Sequence, residues 1–177
     1  YLRSSLYGGY SFCEHKSFLN YVLGLQEDGN KKAELGSAMH KVAECLALCK
    51  LKQKETGEIG GWNIGDEYIG EFTPTNMFDN RIIPKLCKMS FDYYSSLSKH
   101  IWTDKDLITL IEWVNKIVSF QDGAFDPRSQ DVVAVEQYFD FEIADEWAKY
   151  NYVLGDKEIS GNLAMKGTID LIMKVDD

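Results

Sequence analysis

Apolar positions along this chain change their spacing once. Up to about residue 120 they recur with a helical period, and from about residue 131 they alternate as in a strand. The clearest helix is predicted over about Ala33 to Lys52, where Leu35, Met39, Val42, Leu46 and Cys49 follow at spacings of four, three, four and three. A helix around Ser11–Leu23 precedes it, with Phe12, Phe18, Leu19, Val22 and Leu23 as apolar positions and Gly24 as its stop. Gln26 to Lys32, centred on Asp28-Gly29-Asn30, reads as a turn. Gly57 to Thr75, with Gly57, Gly60, Gly61, Gly65 and Gly70, reads as a long irregular excursion. A helix is then expected from Asn76 to about Ile101, with Pro84 in its first turns or at a kink. Thr103 is a plausible cap for the next, which runs to Phe120 with Asp104 and Asp106 in its first turn. Its expected buried face is Leu107, Ile108, Leu110, Ile111, Val114, Ile117 and Val118, and Asp122-Gly-Ala-Phe-Asp-Pro127 should break it.

Val132 to Ile143 then alternates. Val133, Val135, Phe139, Phe141 and Ile143 point one way, and Ala134, Glu136, Tyr138, Asp140 and Glu142 the other, the pattern of a half-buried strand. Residues 144–162 read as a 19-residue connection holding Trp147, Tyr150 and Tyr152. The last strand, Leu163 to Val175, puts Leu163, Met165, Gly167, Ile169, Leu171, Met173 and Val175 on one face. Ala164, Lys166, Thr168, Asp170, Ile172 and Lys174 take the other. Helices followed by the start of a sheet make an α+β chain. Two strands alone are marginal, so the domain is expected to continue past Asp177.

Composition narrows the function classes. The 177 residues carry a formal net charge of −9, which argues against broad, nonspecific adhesion to DNA or anionic membrane. No apolar run approaches the roughly 18 residues of a membrane span, and no signal peptide is visible at the start. The four cysteines, Cys13, Cys45, Cys49 and Cys87, form no CxxC pair and are read as reduced thiols of a cytoplasmic protein.

Three residues stand out chemically. Asp170 sits mid-strand in an apolar run, where an unpartnered carboxylate would cost several kcal/mol to desolvate. A cross-strand lysine or arginine, plain exposure, or a divalent cation would each answer that. His40 follows Gly36 by four on one helix face, in Gly36-Ser-Ala-Met-His40. A mid-helix glycine costs about 1 kcal/mol relative to alanine and asks for a reason, such as the close approach of another backbone. Glu44, four further on, makes a surface pair with His40 one reading; a metal-ligating His40 is the other. Glu136 lies on the polar face of its strand, where ordinary exposure competes with a role. Cys45 and Cys49, four apart, read as core-facing, and His15 and His100 suggest nothing. There is no phosphate-binding glycine loop, HExxH or GxSxG.

Taken together, Tyr10-Ser-Phe-Cys13 with Phe18-Leu-Asn-Tyr21, Leu35-Gly36-Ser-Ala-Met-His40, Val135-Glu136-Gln-Tyr-Phe139 and Gly167-Thr-Ile-Asp170-Leu-Ile form an array. The array resembles the RecB-like branch of the PD-(D/E)XK nuclease superfamily, with its helicase-nuclease subunits, CRISPR-associated exonucleases and phage exonucleases. The resemblance covers most of the chain and implies a restriction-endonuclease-like core, one domain over 1–177 with residues 52–130 as a helical insertion. By similarity His40 and Asp170 match the family's metal-binding histidine and first catalytic aspartate, and Glu136 an acidic catalytic position on the preceding strand. It implies Mg²⁺ or Mn²⁺, DNA as substrate, and a helicase or recombination partner. The family's following strand carries Asp or Glu, one residue, then Lys. Neither that acid nor that lysine lies within this chain, so by itself it is expected to bind metal weakly and cleave DNA slowly or not at all. Cys13-Glu14 stands where many members have Cys-Pro. In the members with an iron–sulfur cluster that cysteine is a ligand, which makes Cys13 a weak candidate for one.

Overall fold

The computed structural model describes residues 11–25, 29–56, 63–64, 67–68, 78–79 and 81–174. Most of the Gly57–Thr75 excursion lies outside the described residues, as do Tyr10, residues 26–28 of the first turn, Asn76 and Val175. In chain order the elements are α1 (Glu14–Ser17), a π-helical turn (Phe18–Val22), α2 (Lys31–Thr56), β1 (Asn63–Ile64), β2 (Glu67–Tyr68), α3 (Ile82–Leu97) and α4 (Asp104–Ser119). Short 3-10 turns follow at Phe120–Gly123 and Pro127–Ser129, then β3 (Asp131–Glu142), β4 (Lys149–Leu154), β5 (Lys157–Asn162) and β6 (Ala164–Lys174). The strands pair as β1 with β2, β3 with β6, and β4 with β5, so the chain is α+β. Among the described residues no helix is long and apolar enough to cross a membrane. The chain divides into two compact units, one of Gly29–Glu136 with Asp170–Asp177, the other of Tyr1–Asp28 with Gln137–Ile169.

In the first of these units α2, α3 and α4 enclose an apolar core. Val42, Leu46, Leu86, Leu110 and Val114 are withdrawn from water, together with Cys45 and Cys87. Helices α2 and α4 begin where polar side chains cap their first turns. Asn30 accepts from the Ala33 amide at 2.8 Å, which starts α2 ahead of the first periodic apolar residue. Asp106 accepts from the Thr103 amide at 2.7 Å, and Lys31 holds the same carboxylate at 2.6 Å. Helix α3 begins at Ile82, with Pro84 in the first turn, where a missing N–H costs nothing. On α4 the expected face is corrected at Ile108, which is 57% exposed; Leu110 and Val114 carry the burial.

Helix α2 has two working faces. At 100° per residue, Leu35, Ala38, Val42, Cys45, Leu46 and Cys49 share the core face. Gly36, His40, Ala43, Ala47, Lys50 and Lys54 lie together roughly 130° away. Small residues in the middle of that second stripe admit the Pro127–Ser129 turn against the helix: Ala43, Ala47 and Pro127 line one cavity. The turn itself is locked by a buried, bidentate ion pair, Arg128 giving Nε to Asp126 Oδ1 at 2.9 Å and Nη2 to Oδ2 at 2.8 Å. Lys54 then ties the start of β3, with Nζ 2.6 Å from Asp131 Oδ1.

Strand β3 does not keep one phase. Val132 is fully buried and Val133 is 49% exposed, the reverse of the expected faces, whereas Phe139 is again half-buried. The change occurs at Glu136, whose φ of 50° is left-handed. A single left-handed residue in a strand is a bulge-like break that shifts which side chains point to which face. Alternation across the whole segment was therefore an averaged pattern.

In the other unit Gly24 stops the first helical stretch at φ +69°, and the Leu25 amide reaches back to the Leu19 carbonyl at 2.9 Å. The apolar side chains of that stretch remain largely exposed, Phe12 at 87%. The 144–162 connection is corrected: most of it is the antiparallel hairpin β4–β5, with Tyr152 opposite Ile159. Its two-residue turn has glycine at positive φ in first position (Gly155, φ 63°), as a type II′ turn requires. Strand β6 faces β3 with the Ile143 amide donating to the Leu163 carbonyl at 2.9 Å and the Phe139 ring lying over Gly167. A Cβ at Gly167 would come within 2.9 Å of that ring, so the glycine of the Gly-x-x-Asp stretch makes room for an aromatic neighbour.

Candidate functional site

His40, Glu136 and Asp170 converge. They come from the middle of α2, the break in β3 and the middle of β6, and all belong to the helical unit. One ligand atom from each lies within 4.8 Å of the others. His40 Nε2 is 2.8 Å from Glu136 Oε1, and His40 Nδ1 is 3.9 Å from Asp170 Oδ2. Met39, Ala43, Glu44, Ala47, Ile117, Pro127 and Leu171 line a cavity of about 190 Å³ around them.

Local structure explains each placement. His40 is fixed because Ala38 and Val42, on either side of it in sequence, are buried against the core. The Ala38 carbonyl also accepts from the buried Ser90 hydroxyl at 2.8 Å, which braces this turn of α2 against α3. Glu136 reaches the ring from the one left-handed residue of β3, so the phase break and the contact coincide. Asp170 is 71% exposed. The cost of desolvating it therefore does not arise, and its direction toward His40 is set by strand register.

A carboxylate has no proton to give, so Nε2 is the donor to Glu136. In the neutral ring that leaves the Nδ1 lone pair turned toward the Asp170 carboxylate, two electron-rich groups facing across 3.9 Å. Such a gap is stabilised by a cation placed within it. Two ligands each about 2.1 Å from a shared Mg²⁺-sized ion are at most about 4.2 Å apart, so the Nδ1–Oδ2 separation fits. Imidazole with a carboxylate is a donor pair that suits Mn²⁺ as well as Mg²⁺.

The chain matches no family model, no curated protein and no solved structure.

Two other expectations are corrected here. Glu44 does not pair with His40; it takes Lys41 at 2.7 Å. Among the described residues nothing lies within 4 Å of a Cβ built on Gly36, so no second backbone among them crosses there. The cysteines are free thiols. Cys45, Cys49 and Cys87 are core residues whose thiols burial pushes up to about 12. Cys13, the one cysteine of its unit, accepts from the Lys16 amide at the start of α1. That donor set does not fit an iron–sulfur cluster held by this chain's own residues. His100 binds the Gly29 carbonyl at 2.8 Å. The sequence reading passed over Lys50 and Lys54, although their spacing from His40 puts them on its face of α2.

Proposed function

We propose that this chain is a metal-dependent DNA nuclease domain of the PD-(D/E)XK type, RecB-like branch, with a restriction-endonuclease-like core. His40 and Asp170 are its ligands for Mg²⁺ or Mn²⁺, and Glu136 orients the His40 ring. The observation that carries this reading is the convergence of an imidazole and two carboxylates within 4.8 Å from positions 40, 136 and 170. Each of these had been singled out from sequence for a different reason.

The roles follow from the contacts. Asp170 is the most open of the three and presents its carboxylate to an incoming phosphodiester's cation. His40 offers Nδ1, and Glu136 fixes its ring through Nε2, the second hydrogen bond that orients a ligating imidazole. When bound, a divalent cation here supplies Lewis-acid polarisation of the scissile phosphate and an attacking water of lowered pKa. In the family that the chain resembles, a lysine on the following strand orients that water. A helicase or recombination protein is the partner class this reading implies.

Calorimetric titration with Mn²⁺, alongside digestion of end-labelled DNA, tests the reading. Wild type should bind Mn²⁺, and Asp170→Ala should lose at least tenfold in affinity together with any cleavage. Unchanged Mn²⁺ affinity or surviving metal-dependent cleavage in Asp170→Ala would overturn it.

A further inference from the structure

We propose that a second cleft on the same helix face is a phosphate subsite for the nucleic-acid strand whose scissile bond the His40 cluster addresses. This inference rests on the nuclease reading. Beyond Ala47 the face of α2 that carries His40 continues into a cavity of about 570 Å³, lined by Lys50, Gln53, Lys54, Ser129, Gln130 and Asp131. The two cavities follow one another along the same elements. Ala47 and Lys50 are successive residues of one stripe, and Pro127 and Ser129 are the two ends of one turn.

The lining is chemically of one kind. Two ammonium groups, two side-chain amides and a hydroxyl offer donors, the groups that bind phosphate oxygens. The one carboxylate, Asp131, is already taken by Lys54 at 2.6 Å. Hydrogen bonding from Lys54 holds it below the usual carboxylate range, with Lys174 and Lys50 adding to the effect. Lysine thus outnumbers acid here, in a chain whose formal net charge is −9. Toward the His40 end, Glu44 is neutralised by Lys41. A basic cleft is therefore built into an acidic molecule beside a cluster of hard ligands.

The distances suit a strand. Lys50 and Lys54 lie ten and fourteen residues along α2 from His40, about 15 and 21 Å at 1.5 Å per residue. At roughly 3.4 Å of rise per nucleotide, that separates the two sites by about four to six nucleotides. The substrate is thus a strand long enough to fill both sites, with one phosphate at the ligand cluster and another on the lysines.

The test compares Lys50→Gln and Lys50→Gln/Lys54→Gln with Lys105→Gln, which matches the charge change of the single variant on the exposed side of α4. The probe is a fluorescein-labelled single-stranded DNA of about twelve nucleotides, read by anisotropy in EDTA across a salt series. The double variant should bind three- to tenfold more weakly, with a salt slope lower by about one to two. Lys105→Gln should behave as wild type, and Mn²⁺ affinity should be the same in all. Because Lys54 also ties β3, thermal unfolding is followed in parallel, and Lys50→Gln alone keeps the test valid if the double variant unfolds early. Strand affinity and salt slope equal to those of Lys105→Gln would overturn the subsite while leaving Mn²⁺ binding, and with it the nuclease reading, intact. Lysine-dependent strand binding by a protein that takes no Mn²⁺ would uphold the subsite and remove the nuclease reading instead.

Discussion

Leu46, Leu86 and Leu110 of the helices are at most 2% exposed, whereas no residue of β6 is buried and its Met165 and Ile169 are 39% and 42% exposed. The two regions have similar apolar content and use it differently. In α2–α4 side chains interdigitate around a common centre, which is where stability is generated. On β6 they stand half in water, and what the strand contributes is the direction of one carboxylate. Only α2 serves both purposes, because its core face and its cluster face are separated around the helix.

The contrast can be broken most severely from the helical side. Leu86→Ala should destabilise by about 3 kcal/mol or more, as for other fully buried leucines, measured by urea unfolding. It should also weaken Mn²⁺ binding, since α3, which carries Leu86, packs against the helix that carries His40. Asp170→Ala sharpens the contrast from the other side: affinity for Mn²⁺ falls at least tenfold, about 1.4 kcal/mol, while the urea midpoint barely moves. A large loss of stability in that variant would mean that β6 is structural after all.

Asp106→Asn is a smaller perturbation, costing roughly 0.5–1 kcal/mol as a lost cap, and its effect should depend on pH. Hydrogen bonding from Lys31, then from Thr103, lowers the Asp106 carboxyl to about 2 in the folded protein. A group whose folded value lies below its unfolded one, near 3.9 for aspartate, stabilises fully above the unfolded value. That contribution is lost as pH falls through the folded value. Wild type and Asp106→Asn should thus differ in thermal stability at pH 6 and converge between about pH 4 and pH 2. The smallest effect is expected for Ile169→Thr: a half-exposed strand residue should change stability by no more than about 0.5 kcal/mol. A loss several times larger would show that the strand's apolar face is covered.

The helices were legible because their signals are local and redundant. Five apolar positions at helical spacing marked α2, a Thr cap marked α4, and a stopping glycine marked the end of the first helical stretch. The hairpin β4–β5 was missed although Leu154-Gly155-Asp156-Lys157 carries a two-residue turn. Its strands are exposed, so the apolar alternation that marks a strand is weak there. The faces of β3 were misassigned because the left-handed turn at Glu136 leaves no trace in a hydropathy pattern. For the cluster, sequence offered three residues that were each awkward where they stood. It did not offer the contact that relates two of them, His40 Nε2 to Glu136. The contact depends on a strand lying against α2, which no local pattern encodes, whereas helical spacing alone places the lysines on the His40 face. Glu44 shows the converse, since spacing favoured a pair with His40 and a lysine three residues away took it.

Glu136 is constrained twice, and this governs how the position can evolve. Its backbone sits where glycine, asparagine or aspartate is most at ease, while its side chain must span the distance to His40. Glycine would relax the backbone and delete the carboxylate; aspartate would keep a carboxylate and shorten its reach by one methylene; a β-branched residue would satisfy neither demand. Single substitutions from glutamate therefore lead only downhill in one property or the other. A lineage that abandons the contact has a short route to a more comfortable strand, and one that keeps it must keep glutamate.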